Sequence, residues 1–280
     1  MTSAASTVRT GELPGSARRP TEDVVLTLPD AVVVLDGVST VTGETPYGGW
    51  YARELGGRIA GLLTEGPAVP LRDVITAAIA GLVREHDIAE GSAAATVAVA
   101  RLDRSAGLVE AAVLGDSPVV ALLRDGGVRE LRDDRLAELI DARPQAAEYR
   151  ARLRAGHGFD DRHGEILREL REYQHTVVNR PGGYWIAATD PTAGQHAVTA
   201  GWPAEEIGEL LLATDGVSSA VDDYGLLTWP RIAATCRSGH PQQVLEAIEA
   251  FEQQDPDARH APRGKLSDDK ALAYWPMNAV

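Results

Sequence analysis

The stretch EDVVLTLPDAVVVLDG, Glu22–Gly37, contains two β-branched runs joined by Pro29-Asp30. β-Branched residues favour a pleated strand and a Pro-Asp pair favours a tight turn, so this stretch is predicted to be a hairpin. Its second run, Val32–Leu35, has no polar residue, as expected of a central strand buried on both faces. It ends on Asp36-Gly37.

Upstream, the first 17 residues are rich in Ser, Thr, Ala and Gly and lack periodicity, which predicts a loose arm with order beginning near Arg18. Downstream, Tyr47–Leu63 and Leu71–His86 place apolar residues at helical spacing, the second with Val74, Ile75, Ala78, Ile79 and Leu82 on one stripe. The period then shortens. Four strand-like runs between Ala95 and Leu131 are broken at 104–107, 115–118 and 125–127, the pattern of an antiparallel meander. From Asp133 to Tyr173 the chain is charged and helical in pattern, a predicted excursion or flap spanning about 133–180. Gly183–Ala188, Leu210–Thr214 and Ala271–Trp275 read as strands, Trp229–Cys236 and Gln242–Gln253 as helices. This order is α+β, with residues 18–280 expected to form a single domain.

Composition narrows the function. The 280 residues carry 27 Lys+Arg against 41 Asp+Glu, a formal charge of −14. A polyanion binder needs a basic field to displace counterions, so nucleic-acid binding is disfavoured. One cysteine, Cys236, excludes an internal disulfide framework and a Cys-rich zinc site. No apolar run has membrane-spanning length, and Met1–Thr10 lacks a signal-peptide core, so a cytoplasmic location away from membranes is expected. No HExxH or P-loop pattern occurs.

Four aspartates stand at the ends of strongly apolar strands: Asp36 in VVVLDG, Asp116 in AAVLGDS, Asp215 in LLLATDG and Asp268 in KLSDDKALAYW. Singly, each is ordinary turn chemistry. Together they form a set of hard oxygen donors suited to Mg²⁺ or Mn²⁺, and a carboxylate at a buried strand mouth needs a compensating cation. Asp190, followed by proline, reads as a turn. His157 and His163 read as parts of a solvated loop.

The ordered series Arg18-x-x-x-Glu22-Asp23, Asp36-Gly37, Gly48-Gly49, Gly115-Asp116-Ser117, Asp215-Gly216 and Asp268-Asp269 resembles the metal-dependent type 2C Ser/Thr protein phosphatases, the PPM family, in its bacterial form. The resemblance runs from about Arg18 to the C-terminus. It implies two antiparallel sheets in a central sandwich flanked by helices on both sides, with two Mn²⁺ or Mg²⁺ ions at one end. On that resemblance Asp36 would bridge the ions and Gly37 would offer its carbonyl. Asp215 and Asp268 would complete the first ion's shell, and Glu22 would serve the second. Asp23 would orient metal-bound water, Asp116 would belong to a third, weaker site, and Arg18 would grip the substrate phosphate. The implied substrates are phosphoserine and phosphothreonine in proteins, within a Ser/Thr kinase system.

The chain departs from the family pattern in several places. Thr21 replaces an Asn before Glu22-Asp23, and Asp36-Gly37-Val38-Ser39-Thr40 replaces the Asp-Gly-x-Gly-Gly turn. Val38 stands where many eukaryotic members carry a histidine proposed as general acid. Ser92-Ala93-Ala94-Ala95-Thr96 replaces Gly-(Ser/Thr)-Thr, and the last motif is Asp-Asp rather than Asp-Asn. Two alternatives therefore stand beside the protein phosphatase: a catalytically degenerate phosphoprotein-binding module, and a small-molecule phosphomonoesterase.

Overall fold

The computed structural model describes residues 7–39, 47–66 and 68–277. In chain order the elements are β1 (Arg9–Leu13), β2 (Val24–Leu28), β3 (Ala31–Leu35), β4 (Gly37–Ser39), α1 (Tyr47–Glu65), α2 (Leu71–Glu85), β5 (Ala93–Ala95), β6 (Val97–Asp103), β7 (Leu108–Leu114), β8 (Val119–Leu123) and β9 (Val128–Leu131). They continue with α3 (Arg135–Asp141), α4 (Pro144–Arg154), α5 (Asp161–Val177), β10 (Val198–Pro203), β11 (Ile207–Ala213), α6 (Asp215–Asp222), α7 (Trp229–Ser238), α8 (Pro241–Gln254) and β12 (Lys270–Pro276).

Two five-stranded sheets form, ordered β1-β12-β11-β8-β9 and β10-β7-β6-β3-β2, beside a small β4-β5 pair. Neighbouring strands are antiparallel throughout. The alternation of side chains along β3 explains the layering. Val32 and Val34 point into the space between the sheets, against residues such as Val119, Leu210, Leu212 and Trp275. Val33 and Leu35 point the other way, onto Tyr51, Leu55 and Ile59 of α1 and Ile75 and Ile79 of α2. On the opposite outer face, Val120, Leu211, Leu272 and Tyr274 meet Val217, Trp229, Ile232, Leu245 and Ile248 from α6, α7 and α8. The result is a four-layer α-β-β-α arrangement of α+β class, as expected.

Several local expectations are corrected. Residues 9–13, assigned above to the loose arm, form β1, an edge strand paired with β12 from Arg9↔Tyr274 to Leu13↔Lys270. Gly11 permits this, because a side chain there would meet the backbone of α8 at Gln242. The predicted meander is split: β6-β7 lie in one sheet and β8-β9 in the other. The chain crosses between sheets at Gly115, whose φ of +84° suits glycine. Gly183–Ala188 is not a strand: its β-pairing among the described residues is limited to the isolated bridges Ala95↔Ala187 and Val178↔Tyr184. His163 is no loop residue. It lies in α5, 3% exposed, where Tyr149 and Phe159 pack edge-on against its ring.

Val38 and Ser39 belong to β4, paired with β5, while Thr40 lies outside the described residues. Asp190 caps a short 3-10 helix, its side chain accepting from Thr192 N–H, which fits the turn expected there. Among the described residues no helix is long and apolar enough to cross a membrane.

Candidate metal centre

Strand pairing carries the acidic motifs to one end of the sandwich. Val24 faces Leu35, so Asp23, just before β2, lies beside Asp36, just after β3. Ala213 faces Leu272, so Asp215, at the start of α6, lies near the approach to β12 that holds Asp268. Asp116 sits in the crossing between β7 and β8, whose ends register with β6 and β11. Residues far apart in sequence thus share one rim.

Local hydrogen bonds hold that rim in place. Thr96 N–H donates to Asp36 O at 2.9 Å, and Asp36 N–H returns a bond to Thr96 Oγ1 at 3.2 Å. The same hydroxyl lies 2.6 Å from Ser117 Oγ, which joins β6 to the Asp116 loop. Asp133 Oδ2 accepts from Gly115 N–H at 3.1 Å on the loop's other side. Asp269 spans two motifs, accepting from Gly15 N–H and Glu22 N–H at 2.7 Å each. Gly37 lies against Gly48, since a Cβ on Gly37 would come within 2.5 Å of the Gly48 carbonyl group and 2.8 Å of Glu22 O. Gly49 likewise packs on Glu22. The glycine pair, displaced in sequence, is therefore still brought beside Asp36-Gly37 and Glu22.

The electrostatics of the rim are those of crowded carboxylates. Burial, followed by the charges of Asp215, Asp23, Asp268 and Asp116, holds the Asp36 pKa well above the usual carboxylate range. Burial, then Asp268 and Asp116, does the same to Asp215. Asp116 is raised by burial and by Asp133 and Asp268. Asp23, 2% exposed, is pushed up to about 7, chiefly by burial and against a hydrogen bond from Thr214. One of its oxygens, Oδ1, is buried without a hydrogen-bond partner among the described residues.

The donor set fits a hard divalent cation by its chemistry: carboxylate oxygens, mutually repelling, one of them buried and unpartnered. No three His, Cys, Asp or Glu side chains among the described residues close tightly enough to cage an ion. Lys265 is ion-paired with Asp268 at the same rim.

Arg18 lies on the segment between Gly15 and Glu22. It is exposed, its backbone N–H donates to Ser16 Oγ, and its guanidinium makes no hydrogen bond or ion pair among the described residues.

The fold has close counterparts among solved structures. A PPM Ser/Thr phosphatase from Mycobacterium smegmatis, MsPP, solved with cacodylate, superposes with a TM-score of 0.58 at 18% identity, covering 98% of this chain and 100% of that one. The Mycobacterium tuberculosis Ser/Thr phosphatase PstP/Ppp gives 0.56 at 16% identity, covering 97% and 98%. A catalytic domain of PstP in complex with two manganese ions gives 0.54 at 17%, covering 96% and 97%.

The chain has the PPM phosphatase fold.

No family profile matches the sequence, and no curated protein does. The PPM likeness is thus one of architecture, spread over nearly the whole chain.

Within the PPM fold, the sequence assigned no role to five contributors to the rim: Asp269, though part of a recognised motif, Thr214, Thr96, Asp133 and Lys265. Asp269 completes Asp268-Asp269, and Thr214 adjoins a recognised motif in Thr214-Asp215. Thr96 closes the altered Ser92–Thr96 segment. Lys265 had no signal, because a lysine in a polar loop reads as a solvated charge.

Proposed function

We propose that this chain is a metal-dependent phosphatase acting on phosphoserine and phosphothreonine in proteins. The observation that carries the reading is the meeting of Asp36, Asp215 and Asp268 at one end of a PPM-type sandwich, where the charges of Asp215 and Asp268 act on Asp36 and that of Asp268 on Asp215.

Asp36, Asp215 and Asp268 would hold one of two Mn²⁺ or Mg²⁺ ions, Asp36 with Glu22 the other, and the Gly37 carbonyl would be offered to one of them. Asp116 would belong to a third, weaker site. When bound, such ions supply Lewis acidity and an activated water for in-line attack on phosphorus. Asp23 is anchored through Oδ2 to Thr214 while Oδ1 has no hydrogen-bond partner among the described residues, which suits it to orient a water at the site. Arg18, with an uncommitted guanidinium, offers a bidentate fork for phosphoryl oxygens.

Two potential nucleophiles, Cys236 and His163, are withdrawn from solvent. Cys236 is fully buried and its thiol is pushed up to about 12 by burial and then by Glu209, which leaves no thiolate at neutral pH. His163 is buried in α5 with Nε2 3.1 Å from Gly264 O.

A second reading, a phosphoprotein-binding module without turnover, has one observation in its favour: the Lys265–Asp268 ion pair within the ligand set. Hydrolysis of p-nitrophenyl phosphate and of phosphopeptides with Mn²⁺ separates the two. Activity that needs Mn²⁺ and disappears in Asp36→Asn and Asp215→Asn supports the enzyme. Turnover that survives both substitutions contradicts the assigned centre, and peptide binding without turnover supports the module.

A further inference from the structure

We propose that Lys265 is a tethered cation that competes with a divalent ion for Asp268 and so weakens the centre's hold on metal. The inference rests on the reading of the acidic rim as a metal centre. Its starting point is the ion pair between Lys265 Nζ and Asp268 Oδ1, on the loop between α8 and β12.

An exposed lysine pair is ordinarily worth little, because two long side chains must be ordered in water for a screened attraction. Two features separate Lys265 from that case. The first is the loop. On its upstream side Arg263, 7% exposed, pairs with Asp255 at 3.1 Å and donates to the carbonyls of Glu252, Asp255, Ala261 and Leu266 at 2.6–2.9 Å. His163 Nε2 meets Gly264 O at 3.1 Å. On its downstream side Ser267 Oγ donates to Glu252 Oε2 at 2.7 Å and accepts from Lys270 Nζ at 2.8 Å. Lys270 Nζ also donates to Asp268 O at 2.8 Å. The backbone is thus clamped on both sides of Lys265, and only the lysine side chain has freedom left to lose.

The second feature is the field. The ammonium sits on Asp268 and within the field of Asp215 and Asp36. The ammonium therefore faces the same carboxylates that the proposed function assigns to the first ion. It brings one charge where a divalent ion brings two, and it repels any ion that approaches Asp268. With 63% of its side-chain surface open to water, it can also swing away.

Calorimetric titration of Mn²⁺ into the full chain, without substrate, tests this directly. Lys265→Gln should bind Mn²⁺ at least about tenfold more tightly than wild type, the scale on which groups flanking a metal site act. Lys265→Arg, which keeps the charge, should show no such gain, and adding Asp268→Asn to Lys265→Gln should abolish it. Unchanged or weaker Mn²⁺ affinity in Lys265→Gln would overturn the competition while leaving the centre standing. Failure of every variant to bind Mn²⁺ would overturn the metal centre itself, and the competition with it.

Discussion

Thr214 Oγ1 donates a 2.7 Å hydrogen bond to Asp23 Oδ2, tying the end of β11 to the start of β2 across 191 positions of sequence. The same hydroxyl accepts from Ala271 N–H at 2.9 Å, so one buried side chain serves both sheets and β12. Thr214→Val keeps the shape but strips Asp23 of the hydroxyl bonded to Oδ2 and orphans a backbone donor. Leaving buried polar groups unpaired predicts a loss of about 2–3 kcal/mol. Thr214→Ser should recover most of it. Urea unfolding measures both, and a Thr214→Val midpoint equal to wild type would contradict this role.

The Lys270–Glu252 pair supports the same rim from below. Its separation is 2.8 Å and the two side chains are 0% and 1% exposed. Glu252 also accepts from Tyr224 Oη at 3.1 Å and Ser267 Oγ at 2.7 Å. Removing one member of a buried pair strands the other charge, so Lys270→Met should cost about 3–5 kcal/mol. The double variant Lys270→Met/Glu252→Gln should regain part of that loss in the same unfolding measurement. A double variant less stable than the single one would show that the pair is not the source of the penalty.

How far the sequence could be read depended on how local each interaction is. The β2–β3 hairpin was legible because its alternation, its turn and its flanking acids all lie within one short stretch. β1 was not, since Arg-Thr-Gly-Glu-Leu buries only Gly11 and gains its order from β12, at the far end of the chain. The split of the meander was hidden because β7 and β8 look alike as strings, and only the backbone at Gly115 sends them to different sheets. In the rim, the strand-end aspartates stood out because carboxylates there are costly. Thr214 and Lys265 did not, because a threonine in a strand and a lysine in a loop are ordinary until their partners are known.

Asp255 gives the stability a defined response to acid. Burial alone would raise its pKa, but N–H donors from Ala261, His260 and Arg259, together with Arg263, outweigh it and hold the carboxyl below its ordinary value of 3.8. A carboxylate depressed in the folded state contributes stability that is present above its unfolded pKa and is lost as pH falls through the folded one. Asp255→Asn should therefore be less stable than wild type at pH 7, and the gap should close as the pH drops from about 5 toward 2. Thermal unfolding across that range checks it. A gap independent of pH would mean that the carboxylate charge plays no part in clamping residues 255–263.

The central claim is that Asp36, Asp215 and Asp268 form a metal centre, and crystals soaked in Mn²⁺ test it most directly. Anomalous difference density at the manganese edge should reveal two ions bridged by Asp36, with Asp215 and Asp268 on one of them and the Lys265 side chain turned away from Asp268. Density absent from this rim at saturating Mn²⁺, with Lys265 still paired to Asp268, would contradict the account.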